Sequence, residues 1–244
     1  MELAGLLSKG LVTRHSAATG NELAAARRTL PLLAALAPLL PQGALQRGSV
    51  VACEGPAAVS LALAIAAGPS HDGCWVGMAG LPFVGLGAAA ELGLVLHRVV
   101  AVVDPPTPFT EAQWADLAAA LIDGFDIVVL GPALQRMRPT TVRRLQARLQ
   151  SRGAVAVTVG VPGFGADVRF VSADPTWVGL GQGHGVARGR VADVQCTGRR
   201  IPRPRQASLW LPTADGEVSP VHTDTSSSVD VGPSGHPIVL RDVG

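Results

Sequence analysis

The chain has 244 residues, enough for one domain with extensions or for two small ones. With 48% hydrophobic and only 16% charged residues, the bulk of it is excluded from the disordered class, and a compact body with a sizeable core is expected. Residues 1–211 hold 19 Lys/Arg against 13 Asp/Glu, and residues 212–244 hold one Arg against five acids. A mildly basic body thus ends in an acidic tail, and an excess of +6 over 211 residues is far below that of a dedicated nucleic-acid binder.

In chain order, residues 1–46 read as a helical N-terminal arm. Leu23, Ala26, Leu30 and Leu33 recur at helical spacing, and Pro31, Pro38 and Pro41 punctuate the end. From Gly48 the pattern becomes an alternation of apolar strands and amphipathic helices, about 25 residues per unit. Strands are predicted over 49–54, 74–79, 98–103, 126–130 and 154–159, and helices over 57–67, 84–92, 111–122 and 140–150. The strands are continuous apolar runs, such as Ile127-Val-Val-Leu130, which suits strands covered on both faces in a parallel sheet with helical crossovers. After Pro162 short antiparallel strands are predicted at 167–172, 177–180, 186–197 and 206–211. The organisation expected is an arm (1–46), an α/β core with its β extension (47–211) and a disordered acidic tail (212–244).

Cys53, Cys74 and Cys196 form no C-x-x-C pair and no even set, so no disulfide framework is legible. The charge-poor run 74–96 holds Pro82, five Gly and Glu91, which reads as two short elements rather than a span. With no export signal visible at the N-terminus, a cytoplasmic location is expected.

The most informative stretch is Gly48-Ser-Val-Val-Ala-Cys-Glu-Gly-Pro-Ala-Ala-Val-Ser-Leu-Ala-Leu63. A strand, a Gly-containing turn and an apolar helix form the context of a phosphate-binding loop. After Gly55 such a loop demands Gly-Lys-Thr, because lysine reaches the β and γ phosphates and threonine holds magnesium. This chain has Ser60, Leu61 and Ala62 instead.

These residues, with Leu40-Pro-Gln-Gly43 before the strand, Ala90-Glu-Leu-Gly93, Asp123-Gly-Phe-Asp-Ile-Val-Val-Leu130 and Trp177-Val-Gly-Leu-Gly-Gln-Gly-His-Gly185, resemble the RecA-type core. The likeness is closer to the RecA/SulA-like mutasome accessory proteins of the actinobacterial ImuA-prime type. It implies an α/β fold, a RecA-like mostly parallel sheet flanked by helices with an antiparallel C-terminal extension. In an active member the lysine would fall at Leu61, the magnesium ligand at Ala62, the water-activating glutamate near Gly80 and the acid ending the fourth strand near Gly131. Losing two charge-assisted contacts of about 1.5–3 kcal/mol each would cost roughly 10²–10⁴ in nucleotide affinity. The resemblance therefore implies a pseudo-ATPase with no catalytic residue, no metal and no cofactor. Its implied partners are a polymerase-like ImuB subunit and an error-prone replicative-type DNA polymerase, in damage-induced translesion synthesis. A SulA-type inhibitor of the tubulin-like division protein would share the degraded loop; the longer body favours the mutasome reading.

Other motifs carry less. Gly179-Leu-Gly-Gln-Gly183 lies between strand-like flanks and reads as a hairpin rather than a dinucleotide loop, and no second His, Cys or carboxylate stands at metal-ligand spacing from His184 in the sequence. Arg136, Arg138, Arg143, Arg144, Arg148 and Arg152 form a basic helical segment, and Arg199, Arg200, Arg203 and Arg205 lie in a Pro-stiffened loop. Of these, Arg143, Arg144, Arg148, Arg199, Arg200, Arg203 and Arg205 are candidate DNA or partner contacts. Direct DNA binding is expected to be weak or indirect, because no aromatic residues for base stacking are interleaved. Asp123 and Asp126 read as a helix-to-strand turn, and the four Trp as core or interface anchors.

Overall fold

A computed structural model describes residues 28–82, 84–102, 107–181, 184–199 and 201–221. Eleven strands and four α-helices are defined among them. The strands are β1 (Thr29–Pro31), β2 (Ala44–Gln46), β3 (Val50–Glu54), β4 (Val76–Ala79), β5 (Val99–Val102), β6 (Ile127–Leu130), β7 (Val155–Val159), β8 (Val168–Leu180), β9 (Gly185–Gly198), β10 (Arg205–Trp210) and β11 (Ser219–Pro220). The helices are α1 (Ala58–His71), α2 (Leu86–Glu91), α3 (Glu111–Gly124) and α4 (Pro139–Arg152).

Nine strands form one sheet in the order β11-β10-β9-β8-β3-β7-β6-β4-β5. β8, β3, β7, β6, β4 and β5 are mutually parallel, and β9, β10 and β11 extend the β8 side in antiparallel fashion. The chain is therefore an α/β protein with a mostly parallel sheet, helices on its faces and an antiparallel C-terminal extension. Alternation along the central strands splits each apolar run between two cores. Val51, Cys53, Ile127, Val129, Val155 and Val157 face α1, while Val50, Val128, Leu130 and Ala156 face α3 and α4.

The two helical faces differ. α4 is amphipathic, burying Val142, Leu145 and Leu149 under an arginine-rich outer side, and ends at Gly153 in the left-handed conformation. α1 is enclosed: every residue from Leu61 to Ser70 is buried. It packs against β1, and Leu30, Leu36 and Leu39 from before the sheet share its core with Ala192, Val194, Leu209 and Leu211 from the extension. Gly68 is required there, since a Cβ would approach the Leu32 backbone to 2.8 Å.

Three expectations need correction. Residues 28–46, the described part of the predicted helical arm, form the antiparallel pair β1–β2 around a 3-10 turn at Ala37–Leu39, because the prolines break the helical spacing of the leucines. Residues 1–27 lie outside the described residues. The first ten residues of the predicted disordered tail are ordered, with β11 paired on β10 and Val218 packed against the α1 core; residues 222–244 lie outside the described residues. The strands expected at 167–172 and 177–180 are one strand, β8, with an irregularity between Ala173 and Thr176. Beyond it, β8 and β9 run on as a ribbon carrying exposed Trp177, Val178, Leu180 and Val186.

Candidate functional site

In open parallel sheets, ligands bind beyond the strand C-termini where the connections diverge. Here that place lies between β3, whose crossover leads to β4, and β7, whose chain returns to β8 on the other side of β3. The crevice at these strand ends encloses about 200 Å³ and is lined by Glu54, Thr158, Gly160 and Arg169. An ion pair of Glu54 with Arg169 spans it. Its volume is below the ~300 Å³ at which small-molecule pockets begin.

The turn after β3 is closed. Gly55 has φ of 86°, and any side chain there would strike the Ser172 carbonyl. Ser172 Oγ accepts a hydrogen bond from the Ala57 amide at 2.8 Å and donates to the Glu54 carbonyl at 3.1 Å. An amide available to a phosphate in a working loop is thereby engaged by a neighbouring strand. Only three residues separate the end of β3 from α1, which begins at Ala58, so positions 58–60 are already helical and cannot wrap an anion. The Leu61 and Ala62 side chains, at the lysine and magnesium-ligand positions, are buried in the core.

Ser60 alone of the three turns outward, and its Oγ accepts a 2.6 Å hydrogen bond from the Arg190 guanidinium. Arg190 also donates to the Leu211 carbonyl at 2.9 Å and lies 5.4 Å from the Trp177 ring centroid. Burial lowers its pKa, the direction desolvation imposes on a cation. The guanidinium thus clamps the base of the β8–β9 ribbon onto the first turn of α1.

The two lost acidic positions meet each other. Gly80 and Gly131 follow the paired strands β4 and β6, and Gly131 N donates to the Ala79 carbonyl at 2.9 Å. A Cβ on Gly131 would strike the Gly80 carbonyl, and one on Gly80 would lie 2.5 Å from Leu134 Cδ1. Neither position has room for a carboxylate, so the residues present do not fit a magnesium nucleotide. Among the described residues no three His, Cys, Asp or Glu converge in a way that could hold a metal ion.

The candidate arginines divide by partner. Arg148 and Arg152 both bind Asp123, through Nε at 2.7 Å and 2.9 Å. Arg148 holds the Asp123 carboxyl down at about 2, helped by Arg152. Arg205 donates to the carbonyls of Pro38 and Leu40 at 2.8 Å and 3.1 Å, tying β10 to the 3-10 turn. Arg143, Arg144, Arg199 and Arg203 are exposed, and Arg200 lies outside the described residues. Asp126 lies in the expected turn between the end of α3 and the start of β6, pairs with Arg47 at 3.1 Å and accepts from Trp75 N. Burial pushes the Cys196 thiol up to about 12 and raises that of Cys53 further, so both are unreactive core residues. Ser172 and Arg190 were missed in the sequence, since each acts on a turn more than a hundred positions away.

No helix among the described residues is long and apolar enough to cross a membrane. Over 136 residues the chain is 33% identical to the protein Rv3395c of Mycobacterium tuberculosis. That match covers 55% of this chain and 63% of the relative, so the chain spans less than two thirds of that relative's length. Residues 38–163, from the 3-10 turn through β7, match the MT3502 N-terminal domain, and the chain belongs to that family.

Proposed function

We propose that the protein is a non-catalytic RecA-like accessory subunit of a DNA-damage-induced mutasome, supporting error-prone translesion synthesis through protein contacts. The observation that carries this reading is the closed turn between β3 and α1. Ser172 occupies the Ala57 amide, Leu61 and Ala62 are buried, and Gly80 and Gly131 leave no space for acids. A fold that retains the frame of a nucleotide site while filling its interior offers surfaces rather than chemistry. The resemblance to the ImuA-prime type supplies the partners, a polymerase-like ImuB subunit and an error-prone replicative-type polymerase.

Two experiments test it. Titrating the protein with magnesium-ATP in a calorimeter is expected to give no heat of binding at tens of micromolar; a clear micromolar isotherm would overturn the pseudo-ATPase reading. Tagged protein recovered from DNA-damaged cells is expected to bring down the polymerase-like subunit, identified by mass spectrometry. Recovery of the tubulin-like division protein in its place would overturn the mutasome role.

A further inference from the structure

Between the segment preceding α3 and the loop following β6 lies a cleft of about 560 Å³, walled by Phe109, Trp114, Pro132 and Met137, with Gln135 and Arg136 at its rim. Phe109 and Trp114 meet edge to face with centroids 5.1 Å apart. The wall is anchored, because Trp114 and Met137 are buried members of the core under α3 and α4. An aromatic and thioether wall of this size accepts an apolar side chain and adapts to its shape.

The charge around the cleft is one-sided. Glu111 is the carboxylate in its lining, and its oxygens are taken by Arg138 N at 2.8 Å, Thr141 Oγ1 at 3.2 Å and Arg138 Nε at 3.2 Å. It serves as an acidic cap on the N-terminus of α4. Arg136 is exposed with no carboxylate partner among the described residues, and so are Arg143 and Arg144, roughly 6–8 Å along the axis from the start of α4. The C-terminal half of the same helix differs, since its Arg148 and Arg152 are held by Asp123.

We propose that this cleft and the N-terminal half of α4 form a docking site for an acidic peptide segment of a partner protein. An apolar or aromatic anchor enters between Phe109 and Met137, and flanking carboxylates meet Arg136, Arg143 and Arg144, the geometry to which guanidinium groups are suited. The inference rests on the protein-contact reading above and names its surface. Single-stranded nucleic acid is disfavoured, because Trp114 is buried and Phe109 half-buried, leaving no open ring face for a base to stack on.

The test is selection of a randomised twelve-residue peptide library, displayed on phage, against the full chain. The expected result is a consensus with an apolar anchor beside two or more Asp or Glu. The synthetic consensus peptide should bind at least tenfold more weakly to the variant carrying Gln135→Trp and Arg136→Glu, and also to a second variant carrying Arg143→Glu and Arg144→Glu. All four positions are exposed, and unchanged thermal melts establish that the variants fold. Failure to enrich any consensus, a consensus without acidic residues, or binding indifferent to both variants would overturn the site. Displacement of the peptide by a fluorescent single-stranded 12-mer that itself loses affinity in both variants would overturn it in favour of nucleic acid. If both variants still recover the polymerase-like subunit at the wild-type level, the docking site falls and the functional reading stands. If peptides are selected as expected and no polymerase-like subunit is recovered, the reverse holds.

Discussion

Gly80 and Gly131 close the ends of two neighbouring strands, and the contact between their backbones is what a catalytic acid would have to displace. Gly131→Asp is therefore expected to destabilise the fold by about 1–3 kcal/mol through overpacking and to restore no hydrolysis. A lowered urea midpoint together with a null phosphate-release assay checks both. Asp123 gives a pH signature. Arg148 and Arg152 hold its folded-state pKa at about 2, below the ~3.9 of an unstructured Asp. A depressed carboxylate adds stability above its unfolded pKa and loses it as the pH falls through the folded one. Asp123→Asn should thus melt below wild type at pH 7, with the difference shrinking between about pH 4 and pH 2. The gap is small, because the pair is exposed and screened; a difference constant over that window would contradict the assignment.

α1 is the element around which the rest is arranged. Its Leu61-Ala-Leu-Ala-Ile-Ala-Ala67 stretch is apolar all round, as a helix covered on every side must be. Restoring the phosphate-loop lysine as Leu61→Lys puts an unpaired ammonium in that core, with an expected cost of about 3–5 kcal/mol and no gain in ATP affinity; chemical denaturation and calorimetry measure the two. Much of this architecture is legible in the sequence. β4 and β6 stand out because burial on both faces leaves them without polar residues, β3 and β7 carry one each, and the α3 start is marked by Thr110 and Gln113, which form a capping box. The segment 28–46 is not legible, because buried leucines in an irregular cover take the same spacing as a helix face. The candidate site is legible only through the resemblance, which points to Leu61, Ala62, Gly80 and Gly131 as the positions to compare. What fills the space is not, because Ser172 and Arg190 reach the turn only through the pairing of β8 with β3 and β9.

At the scale of the whole molecule, the core around α1 is assembled from distant parts of the chain. β11, Val218 and the turn whose Gly216 sits against Glu91 belong to it, so cutting the chain after Leu211 removes folded structure as well as tail. The Leu211 cut is expected to lower the thermal midpoint by several degrees, in line with the ~1 kcal/mol per few degrees typical of this size. Loss of partner binding on that cut would therefore not separate a tail contact from damage to the fold. A cut after Val221 makes that separation, and equal binding before and after it would exclude residues 222–244 as a contact surface.

The enclosure of α1 also bears on how the protein is made. The helix emerges early, yet Ala192, Val194, Leu209 and Leu211, which complete the core it belongs to, follow roughly 120–140 residues later. At translation rates of ~5–20 residues per second, the nascent chain carries an apolar helix in an unfinished core for roughly 6–30 seconds. Synthesis, more than the finished fold, is where this chain depends on chaperones. Stalling the ribosome before Leu211 should leave α1 open to a hydrophobic probe that the completed protein no longer admits.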